Sequence, residues 1–587
     1  MTLSLAGHTF APRIRVNGEP LSDLAQGRLV GVVVDSTLFG PASFELRFHD
    51  LGEEVLSERV VSVGDAVTIE VTAAGPGGSD VTGTLVTGEV VALEVETDEG
   101  AMTRVVRGLD RLHRTKAARK YRSFVRASVA DVVRTVASEA GLEVDVVEGP
   151  GTTSPLDCVL QAGITDWDLL VNLAARTGAS VYLSRGRLCF TSRPKSPGPA
   201  IHLAVGAEIL RGRFAVSGAG QVPSVAVRGW DPARRQSVEG TATPDRPSAS
   251  GPATPGALAS ALSSDGQDLV GWPTLVTAAE AEAAASSEAG RIGAESVDVD
   301  ADVMGLPSLL AGAEVAISKA GAAFDGTYQL SGARHRWDPL GGYVTEIRVA
   351  GPRDREPTLG AGGDPSFLRS QWPALPGCLP ATVTNVKDPD GEGRIQVAFP
   401  WWDGSVAVWA RSVQLGAGPD YGFVVLPEVG TEVLVAPALG DPSQFFVLGG
   451  LYDGVAKHGL SGVVGSSGEV TCRRISSRTK QTILLADGPN PQGIFLSTGD
   501  GTYKLSLDQA KTTITIDAGS GKVRIQAAQI ELAASSTLEL SGAQVTLKAN
   551  EKLALNGGLE LSIEGVQAKL AASGILQLQG SMIQLNG

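Results

Sequence analysis

The chain has 587 residues, a formal charge of −15 and a pI near 5.0, with 43% hydrophobic but only 5% aromatic residues. An acidic balance disfavours nucleic acid as the main partner. No run of about 18 apolar residues and no basic-then-apolar leader occurs, so neither a membrane span nor a signal peptide is expected. The four cysteines, Cys158, Cys189, Cys378 and Cys472, are far apart and form no CxxC pair. They read as free thiols in a reducing compartment rather than a disulfide framework or a zinc site. The length, with 73 Gly and 32 Pro, favours several domains of short strands and turns.

In chain order, residues 1–107 read as strands. "RLVGVVVDSTL" and "ASFELRFHD" are alternating or β-branched, and Val63 to Glu96 is a hairpin series with Gly/Ser turns. A small antiparallel barrel or sandwich is expected here. Residues 108–200 change texture. "SVADVVRTVASEAGL" has helical spacing with Ser128 as cap and Gly141 as stop. "TDWDLLVNLAARTG" repeats the theme, with Thr165 or Asp166 as cap and Gly178 as stop. Two short strands turning at Arg185-Gly186 complete an α+β domain.

Residues 201–355 return to strands and are expected to form a second barrel. The Pro/Ala/Ser/Gly-rich stretch 245–275 reads as a long flexible loop, and Thr277 to Ile292 as a surface helix. "AGAEVAI" at Ala311 echoes "VGDAVTI" at Val63, and "DGTYQLSGA" at Asp325 echoes "TGTLVTGEV" at Thr82. This is a weak internal duplication. Two unrelated strand-rich stretches sharing Gly-turn chemistry are the competing reading. Residues 356–376 form a linker, 377–456 a compact β module and 457–504 a Gly/Ser-rich neck.

Residues 505–587 carry a ladder of apolar pairs at i, i+2: Val523 with Ile525, Ile530 with Leu532, Leu538 with Leu540, Val545 with Leu547, Leu553 with Leu555, Leu561 with Ile563, and Leu576 with Leu578. These side chains are expected to form a needle core. From 523 to 583 there are eight steps in 60 residues, a mean of 7.5. A fixed short period signals a stacked repeat. One such sheet leaves its apolar face and both edges open. Three steps give about 22 residues, enough for one coil of a single-chain solenoid. The other solution winds three chains into a triangular prism, whose thin core excludes aromatics; none follows Tyr503. At about 4.8 Å per layer, about ten steps make a needle on the order of 50 Å long.

The module before the ladder carries the most specific pattern. Asp388-Pro389, Gly391, Gly393-Arg394, Trp409-Ala410-Arg411, Gly422, Pro427-Glu428, Gly430, Glu432-Val433, Gly440-Asp441-Pro442 and Gly449 follow one another in order. This run resembles the OB-fold of the VgrG family, the spike proteins of contractile injection systems, which is also present in contractile-phage spikes. The resemblance implies a mainly β fold: two tail-tube-like barrels with an intervening α+β domain, an OB-fold, and a C-terminal triple-stranded β-helix in a homotrimer. It implies a trimeric hub and spike that adapts a hexameric inner tube to a three-fold needle and pierces an envelope when a sheath contracts. Implied partners are the chain itself, the inner tube protein, baseplate proteins, a PAAR-type tip protein on Met582, Ile583, Leu585, Asn586 and Gly587, and effector cargo. The target membrane is met only transiently. Assembly is expected in a bacterial cytoplasm, followed by release or injection with the particle.

The residues offer no rival chemistry. The histidines, His8, His49, His113, His202, His335 and His458, show no HxH or HExxH spacing, so no metal or cofactor is expected. No GxSxG or carboxylate pair suggests a hydrolase, and no catalytic residue is assigned. No toxin-like domain is expected after the needle. The basic run Arg111 to Arg126 reads as a solvated or inter-subunit face rather than a nucleic-acid site. Trp401 and Trp402 read as packing rather than base-stacking residues, since fold alone implies no ligand. The alternatives are a tail hub of a contractile phage or prophage and, less well supported, a polysaccharide-binding or -cleaving β-helix enzyme.

Overall fold

Val32, Val34, Phe44, Leu46, Phe48, Val67, Ile69 and Val71 alternate with more polar neighbours, and each falls on the buried face of a strand. The structure is a computed structural model and describes residues 12–49, 61–74, 80–98, 101–146, 150–245, 249–250, 253–262, 266–349, 377–400, 402 and 407–585. The predicted linker 356–376, Trp401, and Asn586 and Gly587 of the predicted tip contact lie outside the described residues. The chain divides into two units, Met1–His458 and Gly459–Gly587.

The first unit opens with strands β1 (Arg13–Val16), β2 (Glu19–Pro20), β3 (Leu29–Thr37), β4 (Ser43–His49), β5 (Ala66–Ala74), β6 (Asp80–Asp98) and β7 (Ala101–Asp110). The α+β region follows, with β8 (Arg119–Ser128), β9 (Glu143–Val146), β10 (Pro155–Thr165), β11 (Ser180–Ser184) and β12 (Arg187–Thr191). Its helices Val129–Glu139 and Asp166–Thr177 start where capping chemistry places them. Ser128 and Thr165 each accept from the backbone three residues on, and Asp131 and Asp168 return the bond. Gly178, at φ +66°, stops the second helix. Val132, Val133, Val136, Leu170 and Leu173 pack together between these elements.

The chain continues with β13 (Ile201–Ala204), β14 (Ile209–Val216), β15 (Ser224–Asp231), β16 (Gln236–Ala242), β17 (Ala249–Ser250), β18 (Gln267–Gly271), β19 (Val297–Met304), β20 (Glu314–Ser318), β21 (Gly326–Gln329), β22 (Gly332–Asp338) and β23 (Gly342–Val349). The duplication read from sequence reappears as topology. The first half orders its strands β3-β4-β7-β6-β5, and the second β14-β19-β23-β22, with β21, which runs into β22, pairing β20. Gly64 and Gly312, at φ +94° and +85°, make the equivalent turn before β5 and β20. Each half keeps its own apolar core. The halves share one sheet, because Val32–Thr37 of β3 pairs antiparallel with Gly332–Trp337 of β22.

Two local expectations change. The stretch 245–275 holds a helix, Pro255–Ala261, capped by Thr254 with Pro at its first turn, and the strand β18. The predicted surface helix spans Ala278–Ala294, and its stripe of Ala281, Ala284, Ala285, Ala289 and Ile292 is buried with Val225 and Val227 of β15. The small side chains permit this close approach. A Cβ at Gly240 would lie 2.1 Å from the backbone nitrogen of Glu282.

The first unit ends in a closed barrel, ordered β24-β25-β26-β30-β29, from β24 (Leu379–Asn385), β25 (Arg394–Ala398), β26 (Ala407–Ser412), β29 (Glu432–Ala438) and β30 (Asp441–Gly450). A loop hairpin, β27 (Ala417–Gly418) with β28 (Tyr421–Gly422), projects from it. Ile395, Val397, Phe399, Val433 and Val435 fill the barrel cluster, joined by Leu160 and Ala162 of β10. The second unit opens with an antiparallel meander of β31 (Cys472–Ser476), β32 (Thr482–Ala486), β33 (Gly493–Ser497), β34 (Lys504–Asp508) and β35 (Thr513–Asp517). Regular strands thus begin inside the stretch read as a neck. Residues 518–585 contain no strand paired within the chain.

Candidate assembly surfaces

The barrel motif is a set of turn devices. Asp388 closes the β24–β25 connection: its Oδ2 accepts from the backbone nitrogens of Glu392 at 2.9 Å and Arg394 at 3.1 Å. Arg394 Nη2 donates to Asp388 Oδ1 at 2.7 Å and also reaches Asp390. The Arg394 guanidinium beside Asp388 holds that carboxyl well below the usual carboxylate range. The same guanidinium lies 5.9 Å from the Trp409 ring, and that of Arg411 lies 5.8 Å from Phe446. Gly393, Gly422, Gly430 and Gly440 all sit at positive φ. Asp441 accepts from the Ser443 nitrogen at 2.8 Å and from the Thr274 hydroxyl, tying the barrel to the segment before the Ala278–Ala294 helix. Pro389, Pro427, Pro442 and Gly449 lie in or beside these turns and strands. Most motif residues therefore build the turns and strands of the barrel.

Trp402 packs at 4.3 Å, ring centre to centre, from Phe399 and 5.9 Å from Tyr121. It is buried, as the packing reading expects. The basic segment 111–126 is drawn into ion pairs. Arg114 reaches Glu89, Lys120 reaches Asp166 at 2.7 Å, and Arg122 reaches Glu139 at 2.6 Å and Asp166 at 2.9 Å.

Apolar surface concentrates in the second unit. Register aligns Ile475, Ile483, Leu496, Leu505 and Ile516 in one row across the meander, and Leu485, Ile494, Leu507 and Ile514 in the next. Both rows lie on one face, because they alternate by two along each strand. All nine side chains are exposed.

The residues expected to form the needle core make no core within one chain. Val523, Ile525, Ile530, Leu532, Leu538, Leu540, Val545, Leu547, Leu553, Leu555, Leu561, Ile563, Leu576 and Leu578 are each 52–68% exposed. The physical reason is that residues 518–585 form no paired strand, so among the described residues nothing covers the apolar side. Of the expected tip contact, Met582 and Leu585 are exposed above 80%, and Ile583 by about half. The ladder thus presents a regular series of exposed apolar pairs. A second exposed apolar set, absent from the sequence reading, surrounds the β27–β28 hairpin: Leu415, Tyr421, Phe423, Val424 and Val425. Its spacing follows no helix or strand period, so pattern reading could not find it. Among the described residues no cluster of His, Cys, Asp or Glu could hold a metal ion, and no helix is long and apolar enough to cross a membrane.

A family profile described as the type VI secretion system/phage-baseplate injector OB domain matches residues 379–452, which span the closed barrel. A second profile, the Alg8 N-terminal domain, matches residues 56–338, just under half of the chain. The chain is similar to the actin cross-linking toxin VgrG1 of Vibrio cholerae, 35% identical over 92 residues, covering 14% of this chain and 8% of that protein. It is also similar to the type VI secretion system spike protein VgrG5 of Pseudomonas aeruginosa, 38% identical over 97 residues, covering 14% and 12%. The chain thus spans about a tenth of the length of these curated relatives. A chain of the Francisella PdpA–VgrG complex in its lidded form aligns with a TM-score of 0.51 at 7% identity, covering 87% of this chain and 80% of that one, a likeness of fold. The resemblance read from the barrel motif holds: the chain is similar to VgrG-type spike proteins, most specifically through residues 379–452.

Proposed function

We propose that this chain is the trimeric central spike and hub of a contractile injection machine. Three copies join through the second unit, whose ladder forms a triple-stranded needle with the apolar pairs on its axis. The two related halves of each chain present six similar modules to a hexameric inner tube, and the needle supplies three-fold symmetry. The protein acts by transmitted force rather than by bond chemistry, puncturing the target envelope as the sheath contracts. A PAAR-type tip protein sits on Met582, Ile583, Leu585, Asn586 and Gly587.

The observation that carries this reading is the ladder. Its fourteen paired Val, Ile and Leu side chains, from Val523 and Ile525 to Leu576 and Leu578, are all about half exposed or more and have no partner strand in their own chain. Burying each is worth about 1.5–3 kcal/mol when complete, so three intertwined copies gain far more than one chain can. A strand that bonds only to other copies has none of its own to pair with, as residues 518–585 require. The test is the mass of the full-length chain by light scattering at micromolar concentration. Three chains are expected, and a one-chain mass overturns the proposal.

A further inference from the structure

We infer that the cavity where the helix Asp166–Thr177 meets the closed barrel is a binding site for water, and that about three bound water molecules carry the contact from Asn172 and Arg176 on the helix to Asp441 on the barrel. The site concerns the attachment of the barrel to the region before it, and it stands whatever the number of copies in the assembly.

The cavity measures about 40 Å³. Leu160 and Ile164 of β10, Leu173 of the helix and Pro442 of β30 give it an apolar wall. Asn172, Arg176 and Asp441 also line it and are only 6%, 9% and 6% exposed. Asn172 and Arg176 lie four residues apart, so they share one face of the helix. Ser443 lines the cavity too and is exposed, which gives solvent a way in.

Each of the three buried groups keeps hydrogen-bonding capacity that the protein does not use. Among the described residues none bonds to the Asn172 side chain, which offers two donors and a carbonyl acceptor. Arg176 gives Nε at 3.3 Å and Nη2 at 2.7 Å to one oxygen of Glu280, which leaves Nη1 over. Its ion pair is with Glu280 and not with Asp441. Asp441 accepts the Ser443 nitrogen on Oδ1 and the Thr274 hydroxyl on Oδ2. That is one bond per carboxylate oxygen, where each has two lone pairs. A buried polar group left unpaired costs the whole of its lost hydration, so such groups find a protein partner or an ordered water.

Charge and size select water. A cation would suit Asp441 but meet the Arg176 guanidinium, and an anion would meet the reverse. Water donates to Asp441 and to Asn172 Oδ1, and accepts from Arg176 Nη1 and Asn172 Nδ2. Each water needs about 10–15 Å³ of such space, so the cavity takes about three. An apolar lining alone would keep it dry, but three buried polar groups on the wall supply the partners water needs. The waters close a triangle. Arg176 and Glu280 tie the helix Asp166–Thr177 to the helix Ala278–Ala294. Thr274, just before that second helix, is tied to the barrel by Asp441. The waters form the third side, from the first helix to the barrel, as bridging waters do at nearly the strength of direct bonds. Asp441 of the Gly440-Asp441-Pro442 run thereby has a part beyond its own turn.

The test uses the full-length chain. A density map fine enough to show ordered water should hold about three peaks in the cavity, each within about 3.2 Å of Asn172, Arg176 Nη1, Asp441 or another peak. Xenon under pressure should add no density there, because it cannot replace those hydrogen bonds. Xenon bound in a dry cavity, or an ion at its centre, overturns the site. Separately, Asn172→Leu keeps the bulk of the side chain and removes its polar atoms, and it should lower the midpoint of thermal unfolding by several degrees. Asn172→Ser keeps a polar group and admits a further water, and it should lose less. Equal losses, or the reverse order with Leu tolerated and Ser costly, are the mark of a dry apolar cavity and overturn the proposal. If Asn172→Leu does not fold, the map and the xenon result on the parent decide.

Discussion

Asp388 and Arg394 form a closed loop of charge and backbone in the β24–β25 connection: one carboxylate takes the guanidinium at 2.7 Å and three backbone N–H groups. The Asp388 side chain is only 4% exposed. Its low pKa, set first by the Arg394 hydrogen bond, means that the folded state keeps the carboxylate ionised where the unfolded chain protonates it. The stabilisation is therefore complete above the unfolded value of about 3.9 and is lost as pH falls below it. Asp388→Asn is expected to destabilise the barrel by about 2 kcal/mol at neutral pH. The gap from the parent should narrow below about pH 4. Denaturant unfolding followed by tryptophan fluorescence checks this; equal midpoints at pH 7 would show that Arg394 and the turn hold without the charge.

His335 gives the shared sheet its own pH dependence. Its ring is buried on β22, with Nδ1 2.7 Å from the Tyr343 hydroxyl and 3.1 Å from Thr345 Oγ1. Burial pushes its pKa down to about 4. The unfolded chain, with a value near 6.5, binds the proton first, so stability present at neutral pH is lost as pH falls from about 6.5 to about 4. Asp110 works the other way: burial raises its pKa to about 6, so its contribution weakens as pH rises from about 3.8 to about 6. The readout is therefore the difference between His335→Gln and the parent. The parent should lose more melting temperature than the variant between pH 7 and pH 4.5; identical losses would remove His335 as the cause.

Elements with a local cause were legible in the sequence. Ser128, Thr165, Gly141 and Gly178 set the bounds of two helices because capping needs only neighbouring residues. The Asp388 to Gly449 run identified the barrel because its turns need particular side chains at fixed separations. Relationships that depend on distant partners were hidden. The Val32–Thr37 and Gly332–Trp337 pairing joins strands some 300 residues apart, and the charges that flank it look like ordinary strand exteriors in either segment alone. The Ala278–Ala294 helix read as surface because alanine is apolar but small; Gly240 opposite it is what lets the stripe pack. The meander 472–517 was merged into a neck and the first ladder steps, since Gly and Ser turns dominate its composition while its two apolar rows appear only in register. The ladder's period was legible from Val523 to Leu578, and within one chain each of those side chains stays more than half exposed.

Removal of residues after Gly468 takes away the meander and the ladder together. The remaining chain keeps the shared eleven-stranded sheet and the closed barrel, each with its own core. Its association should weaken markedly, with a mass that falls toward one chain on dilution, whereas the full-length protein should hold three. An undiminished three-chain mass would move the dominant contact from the ladder to the sheet edges.

Leu540→Glu tests the ladder one side chain at a time. Leu538, Glu539 and Leu540 lie in succession, and strand alternation puts the two leucines on one face and Glu539 on the other. If the leucines meet on a shared axis, one substitution places three carboxylates there, each stripped of water and facing two of the same sign. Desolvation costs several kcal/mol per buried ion, and each lost leucine forfeits about 2 kcal/mol more, so the penalty is on the order of 10 kcal/mol per trimer. The variant should lose resistance to SDS and dissociate at a clearly lower temperature. Glu539→Ala, equally close in sequence but on the wet face, should change neither by more than about 0.5 kcal/mol per chain. Equal behaviour of the two variants would mean that position 540 faces solvent, and the ladder could not then be the inside of a needle.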